Sequence, residues 1–253
     1  VLALSSGAAG CNVDYTLGTL DGPPSLGVAT TPLVVATDGA ALYDFDPSAN
    51  AFGPARPLRG CDLGLVELTR KDDGELVAAG WGGGVGALYR VRDGVCEPTA
   101  HFNVSSSFAV AFVAQPTGGT KLLGDEGGRL VTLDILGGQT EIVKRPNLGQ
   151  VAGDVVVTAE GEGWVTLSRG AEVTLQRFDP ATGTVRQTFA LPTNDPVEGL
   201  VEHEGGLLGF TADGRVVAIV VDGDTVTLRA RAVKGAPAHF TGAASSWAGG
   251  APR

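Results

Sequence analysis

The feature that most constrains this chain is an internal repeat. Five segments share one pattern: ALYDFDPSANAF (41–52), ALYRVRDGVC (87–96), RLVTLDILGGQT (129–140), TLQRFDPATGTV (174–185) and RVVAIVVDGDTV (215–226). Each reads as an apolar strand, a turn and a second strand. The turns carry Asn50, Gly94, Gly138, Gly183 and the pair Gly223-Asp224, residue types that tolerate a left-handed backbone. The anchoring residues Leu42, Leu88, Leu130, Leu175 and Val216 recur about every 43 residues, the period of a four-stranded sheet unit. Upstream of each hairpin lies a further strand pair. SLGVATTPLVVATDG (25–39) aligns with EGLVEHEGGLLGFTADG (198–214), Leu26 and Leu33 matching Leu200 and Leu207. The others are DLGLVELTRKDDGELVAAG (62–80), SFAVAFVAQPTGGTKLLGDEGG (107–128) and GDVVVTAEGEGWVTLSRG (153–170). Each unit therefore contains four strands.

A lone sheet of this kind leaves an apolar face open. Stacking the units in a circle covers both faces of each and protects the edges. The expected fold is all-β, a β-propeller of five four-stranded blades; the alternative is six blades, the last built from both termini. The 39 glycines among 253 residues suit short strands and tight turns, and no segment sustains the apolar period of a long amphipathic helix. GLVEL (64–68), FAVAFVA (108–114) and DVVVTA (154–159) are short and rich in Val and Ala, as strands lining a narrow ring should be. The expected organisation is a lead-in over 1–24, the ring over 25–233 and a ring-closing strand with its tail over 234–253. HFTGAASSW (239–247) resembles HFNVSSSF (101–108), which leads into an inner strand.

The segments ALYDFDPSAN and TLQRFDPATG resemble the "strand, then Asp-Pro-x-x-Gly turn" of the bacterial YVTN-, NHL- and PQQ-type propeller repeats, over roughly residues 25–233. The resemblance implies architecture but not chemistry, because such repeats serve binders, lyases, hydrolases and assembly factors alike. The Trp-Asp and Gly-His signatures of WD40 blades are absent, as are the regular Trp positions of quinone binders, so no cofactor is expected.

The formal net charge of −10 argues against nucleic acid, which requires clustered Lys and Arg; Arg229, Arg231 and Lys234 form the densest basic run and read as a solvated strand face. No run reaches the 18 or so apolar residues needed to cross a bilayer. The start, VLALSSGAAGC (1–11), reads as the end of a signal peptide and resembles a bacterial lipobox, with Ala8 where Leu is commonest. On that reading Cys11 carries a lipid, the chain's single membrane attachment; on the other it is an ordinary cysteine. Cys61 and Cys96 enclose one repeat and either form a disulfide, which an exported protein permits, or remain two buried thiols. Their spacing offers no zinc motif, and no metal site is expected.

Candidate chemistry is sparse. His101, His203 and His239 are scattered, the first and last in similar segments before inner strands. Glu202 and Glu204 flank His203 and, on a strand, share one face while His203 occupies the other. Asp14, Asp38, Asp62, Asp154 and Glu198 fall near strand starts or turns, where an axial glycosidase would keep its carboxylates, though without a diagnostic motif. KDDGE (71–75) lacks the ligand pattern of a calcium loop. The serines of 105–107 and 245–246 lack a nucleophile elbow. WGGGVG (81–86) precedes no helix that could hold phosphate. Trp81, Trp164 and Trp247 suit either blade packing or sugar stacking. The functional expectation is an exported, lipid-anchored, non-enzymatic scaffold of the bacterial periplasm, outer membrane or cell surface that binds another envelope protein or a glycan. The alternatives are a glycan-cleaving hydrolase or lyase with axial carboxylates, and a structural subunit of an envelope assembly.

Overall fold

A computed structural model of the protein describes residues 34–70, 75–103, 108–114, 120–126, 129–133, 140–141 and 153–245. These residues contain strands and turns and no helix. In chain order, β1 (Val34–Thr37), β2 (Ala41–Asp46), β3 (Ala51–Phe52) and β4 (Arg56–Pro57) precede β5 (Gly64–Arg70), β6 (Leu76–Gly82), β7 (Val85–Arg92) and β8 (Val95–Asn103). Next come β9 (Phe108–Ala114), β10 (Thr120–Glu126), β11 (Arg129–Leu133) and β12 (Thr140–Glu141), then β13 (Val155–Val157), β14 (Gly163–Arg169), β15 (Glu172–Phe178) and β16 (Val185–Ala190). The last are β17 (Val197–His203), β18 (Gly206–Thr211), β19 (Val216–Asp222), β20 (Thr225–Arg231) and β21 (Gly242–Ser245).

Four antiparallel meanders, β5–β8, β9–β12, β13–β16 and β17–β20, form four-stranded sheets in a β-propeller arrangement. The repeat segments fall on their outer hairpins, as the periodicity predicts. Asn50, Gly94, Gly183 and Gly223 all take positive φ; Gly138 lies outside the described residues. A further sheet is composite. β1 pairs with β2 on one side and with β21 on the other, Val34 opposite Ser245 and Thr37 opposite Gly242. The inner position of this first repeat is thus taken by β21, near the C-terminus; residues 25–33 lie outside the described residues.

The inner strands touch in cyclic order: β5 with β9, β9 with β13, β13 with β17, β17 with β21, and β21 with β5. Core residues sort into five clusters among the described residues, each between two adjacent sheets. Val77 and Leu88 meet Val110, while Ala109 and Ala111 meet Val155, Val165 and Phe178. Leu175 and Phe189 meet Leu200 and Ile219, and Phe210 meets Phe45 and Ala36. Consecutive residues serve opposite interfaces, as strand alternation requires: Val77 faces one neighbour and Ala78 the other. Phe45, Phe52, Phe210 and Phe240 form an aromatic knot at the last interface, with centroids 4.7 Å (Phe45–Phe52) to 6.5 Å (Phe52–Phe210) apart.

The connections between sheets are also tied. The segment after β20 runs beside β3, Phe52 N donating to Lys234 O at 2.9 Å and Lys234 N to Asn50 O at 3.0 Å. The segment after β4 likewise runs beside β8, with Cys96 N donating to Arg59 O at 2.8 Å. Here Cys61 and Cys96 form a disulfide, their Cα atoms 5.2 Å apart and 35 positions apart in sequence. Closing a loop of this length restrains the unfolded chain by about 3–4 kcal/mol. Reduction, or a Cys61→Ala/Cys96→Ala double variant, is therefore expected to lower the melting temperature by on the order of 10 °C. An unchanged melting curve with both thiols free would contradict a stabilising bridge.

Candidate functional site

Two features occupy the axis. The first is a set of carboxylates on or beside three of the inner strands. Glu67 on β5 and Asp154 just before β13 are 1 % and 0 % exposed and hydrogen-bond to each other, with Glu198 of β17 close enough to act on both. Their remaining oxygens accept backbone N–H groups: Leu68 N on Glu67 at 2.6 Å, and Val155 N and Leu200 N on the two oxygens of Asp154, each at 2.6 Å. Three inner strands thus converge on two side chains. Burial raises the affinity of both acids for a proton well above the ordinary carboxylate range; Asp154 raises Glu67 further, while the hydrogen bond with Glu67 offsets part of the rise at Asp154. Burial also pushes Glu198 up. Among the described residues, the groups acting most on the pair include no cation, which favours a proton shared between the two carboxyls.

Close packing seals this layer. A Cβ on Gly242 would lie 2.9 Å from both Cα and Oε1 of Glu67, and one on Gly199 would lie 2.8 Å from the Cβ of Ala243. Of the acids, the sequence flags Asp154 and Glu198 but misses Glu67, which reads as the polar position of an alternating strand. A bulge between Leu65 and Glu67 shifts that alternation and turns the side chain inward. The available signal was a carboxylate recurring near the start of three inner strands.

The second feature is a pit of about 240 Å³ at the opposite end of the inner strands. Leu68, Val155, Leu200 and Ala243 lie toward its floor; Arg70, Glu202, His203 and Ser245 also line it. The ends of β5, β13, β17 and β21 all reach this mouth, so the inner strands run in one direction. Glu202 and Gly205 also line an adjoining groove of about 400 Å³ between the β13–β16 and β17–β20 sheets, with Glu160, Glu162, Val220 and Val221 on its walls. Glu202 accepts from Ala159 N at 2.7 Å and hydrogen-bonds to Glu160; burial and that neighbour raise its proton affinity. Arg177 pairs with Glu162 and lies 5.7 Å over Trp164, whose other neighbour is Phe189 at 6.2 Å.

The structure disperses the other sequence candidates. Glu204 leaves the strand with φ 52°, so it does not share a face with Glu202; its Oε1 instead lies 3.8 Å from Nε2 of His203. His101 is exposed on β8, and His239, outside any strand, places Nε2 3.1 Å from Asp38 O. Asp38 caps Ala40 and Ala41 and accepts from Tyr43 at 2.7 Å, raising the phenol to about 12. Asp62 accepts from Tyr89. Neither joins the axial set. Glu75 pairs with Arg90 and Arg92. Gly83 and Gly84 take positive φ in the β6–β7 turn. Arg231 donates to Pro47 O at 2.7 Å, and Arg229 is exposed. Among the described residues no group of three or more His, Cys, Asp or Glu is arranged to hold a metal. Cys11, Asp14, residues 71–74, the serines 105–107 and 246, and Trp247 lie outside the described residues.

No protein-family model matches the chain, and no curated protein sequence matches it. Among solved structures, a chain of a nidogen/laminin complex is similar over 86% of this chain and 99% of its own, with TM-score 0.57 at 11% identity. Streptogramin B lyase (TM-score 0.45, 13% identity, 80% of this chain and 69% of its own) and BamB from Moraxella catarrhalis (0.41, 12%, 75% and 55%) are more distant. At such identities the first likeness is one of fold, that of a ring of small antiparallel sheets.

The acid pair has a testable sign. A carboxylic acid whose folded pKa is raised binds more protons folded than unfolded between the two pKa values, so stability falls as pH rises through that window. Each retained proton costs about 1.4 kcal/mol per pH unit. Wild-type melting temperature is expected to fall from pH 5 to pH 8, and the fall to flatten in Glu67→Gln, which stays neutral and keeps a donor for Asp154. Parallel curves for the two proteins would contradict a shared proton.

Proposed function

We propose that this chain is an exported, non-enzymatic binding propeller that receives a protein partner at the mouth carrying the pit and groove. We read the composite sheet as the fifth blade, so that 25–233 forms the ring, 234–253 supplies its closing strand, and 1–24 is a lead-in whose Cys11 takes a lipid anchor. The cyclic contacts of the inner strands support the count, and the disulfide supports an oxidising compartment.

One observation carries the binding reading. The axial acids Glu67 and Asp154 lie sealed beneath the pit floor, while the pit itself offers apolar walls and a polar rim. A glycosidase needs its acids about 5–9 Å apart on either side of a bound sugar; here two of them touch each other and face no open volume. Trp164 is a poor sugar platform, since it is 7 % exposed, with Arg177 over its ring and Phe189 beside it. A protein partner is therefore favoured over a glycan. The nidogen/laminin likeness is in keeping with that use of the fold.

Two exposed valines make a matched test: Val220 on the groove and Val95 on the outer strand of the β5–β8 sheet, 36% and 46% exposed. With a photo-crosslinking amino acid at each in the native host, the expected result is a discrete protein adduct from position 220 and none from position 95. Equal labelling from both, or none from either, would count against a partner at this mouth.

A further inference from the structure

We infer that the groove and pit recognise a cationic, partly apolar segment of the partner, with an arginine or lysine side chain seated between Glu160 and Glu202. This deepens the reading of the mouth as a protein-binding face and rests on it.

Charge leads to this occupant. Among the described residues lining the groove, Arg177 is the one cation, and it is already engaged by Glu162 and lies over Trp164. Glu160 and Glu202 remain, two carboxyl groups in hydrogen-bond contact with no cation between them. Two carboxyl groups so placed, one half withdrawn from water, gain most from a ligand that brings a positive charge and several N–H donors and so lets both ionise. The opposite wall is apolar: Ile219, Val220 and Val221 line it, with Val220 exposed. An arginine or lysine stem has the amphipathic form that such a cleft takes, apolar along its length and charged at its tip.

A second observation, on a different side chain, points the same way. His203 lines the adjoining pit with its side chain 8 % exposed, and its Nδ1 is buried without a hydrogen-bond partner among the described residues. The nearest carboxylate to its Nε2 is that of Glu204, 3.8 Å away. In the neutral tautomer that carries its proton on Nε2, toward that carboxylate, Nδ1 is an acceptor. His203 Nδ1 thus joins the carboxyl groups of Glu160 and Glu202 as an acceptor for a donor on the ligand, beside Arg177, whose Nε is a buried donor without a partner among the described residues. Arg70, on the pit wall at β5, has Asp44 and Arg56 as its charged neighbours, and its Nε is buried without a hydrogen-bond partner among the described residues.

The test uses the whole chain and a fluorescein-labelled hexapeptide of alternating valine and arginine, with the valine–glutamate peptide as counterpart. Fluorescence anisotropy is expected to show saturable binding of the first and none of the second. Glu160→Gln/Glu202→Gln should weaken binding at least tenfold. Glu97→Gln, on an outer strand, should change it less than twofold. Because the double variant can disturb packing, Val220→Arg provides an independent check: at an exposed position it places a cation in the groove and should also weaken binding at least tenfold, with an unchanged melting temperature. Absence of saturable binding, equal binding of the acidic peptide, or equal loss in Glu97→Gln would overturn the inference. Should the peptide fail while position 220 still crosslinks a partner, the cationic segment is refuted and the binding mouth stands; failure of both refutes both.

Discussion

The structure depends on each sheet burying two faces. Every sheet has one apolar cluster on each side, and neither can be covered by the sheet's own strands. Val77 and Ala78 are adjacent in sequence yet belong to the cores of two different interfaces. Such a sheet has no stable solitary form, because exposing either side releases several apolar side chains to water at roughly 25 cal/mol per Å². A linear stack would leave its two terminal sheets exposed, whereas the circle of inner-strand contacts leaves none. Closure then falls to four residues, Gly242–Ser245, hydrogen-bonded to β1 and packed between β17 and β5. Their small side chains suit a crowded axis.

The same crowding accounts for the buried acids. Where inner strands converge, backbone N–H groups of Leu68, Val155 and Leu200 point at the axis, and Glu67 and Asp154 satisfy them. A buried N–H without a partner costs more than the bond itself contributes. The two carboxyls are tolerable because burial favours their protonated form, which lets one donate to the other while three backbone N–H groups find acceptors. The layer ties strands that are remote in sequence and closes the pit from below.

Much of this was legible in the sequence. The repeat period located the outer hairpins because their turns need residues such as Asn50, Gly94 and Gly183 at positive φ, a local requirement visible in the residues themselves. The sequence leaves the Cys61–Cys96 pairing open; the run of residues 59–61 beside β8 makes it definite. Other features were set by tertiary context. The inner partner of β1 came from the far end of the chain; the likeness of 239–247 to 101–108 marks a strand there, but not its pairing with β1. Glu67 was hidden by a bulge, and Glu204 by a left-handed turn residue that broke the alternation expected of 202–204. The convergence of Glu67, Asp154 and Glu198 depends on ring geometry, so the sequence could name two of the acids without bringing them together.

The central claim is that the ring is closed by β21, so that its opening is global and not local. Native-state hydrogen exchange tests this most directly, read at the hydrogen-bonded amides of 242–245 and 34–37 against those of β18 and β19. A closed ring predicts that both sets exchange with the same opening free energy, equal to that of global unfolding. Exchange of the 242–245 amides through a low-energy opening, with β18 and β19 still fully protected, would mean that the ring stands without its clasp, and would contradict the account.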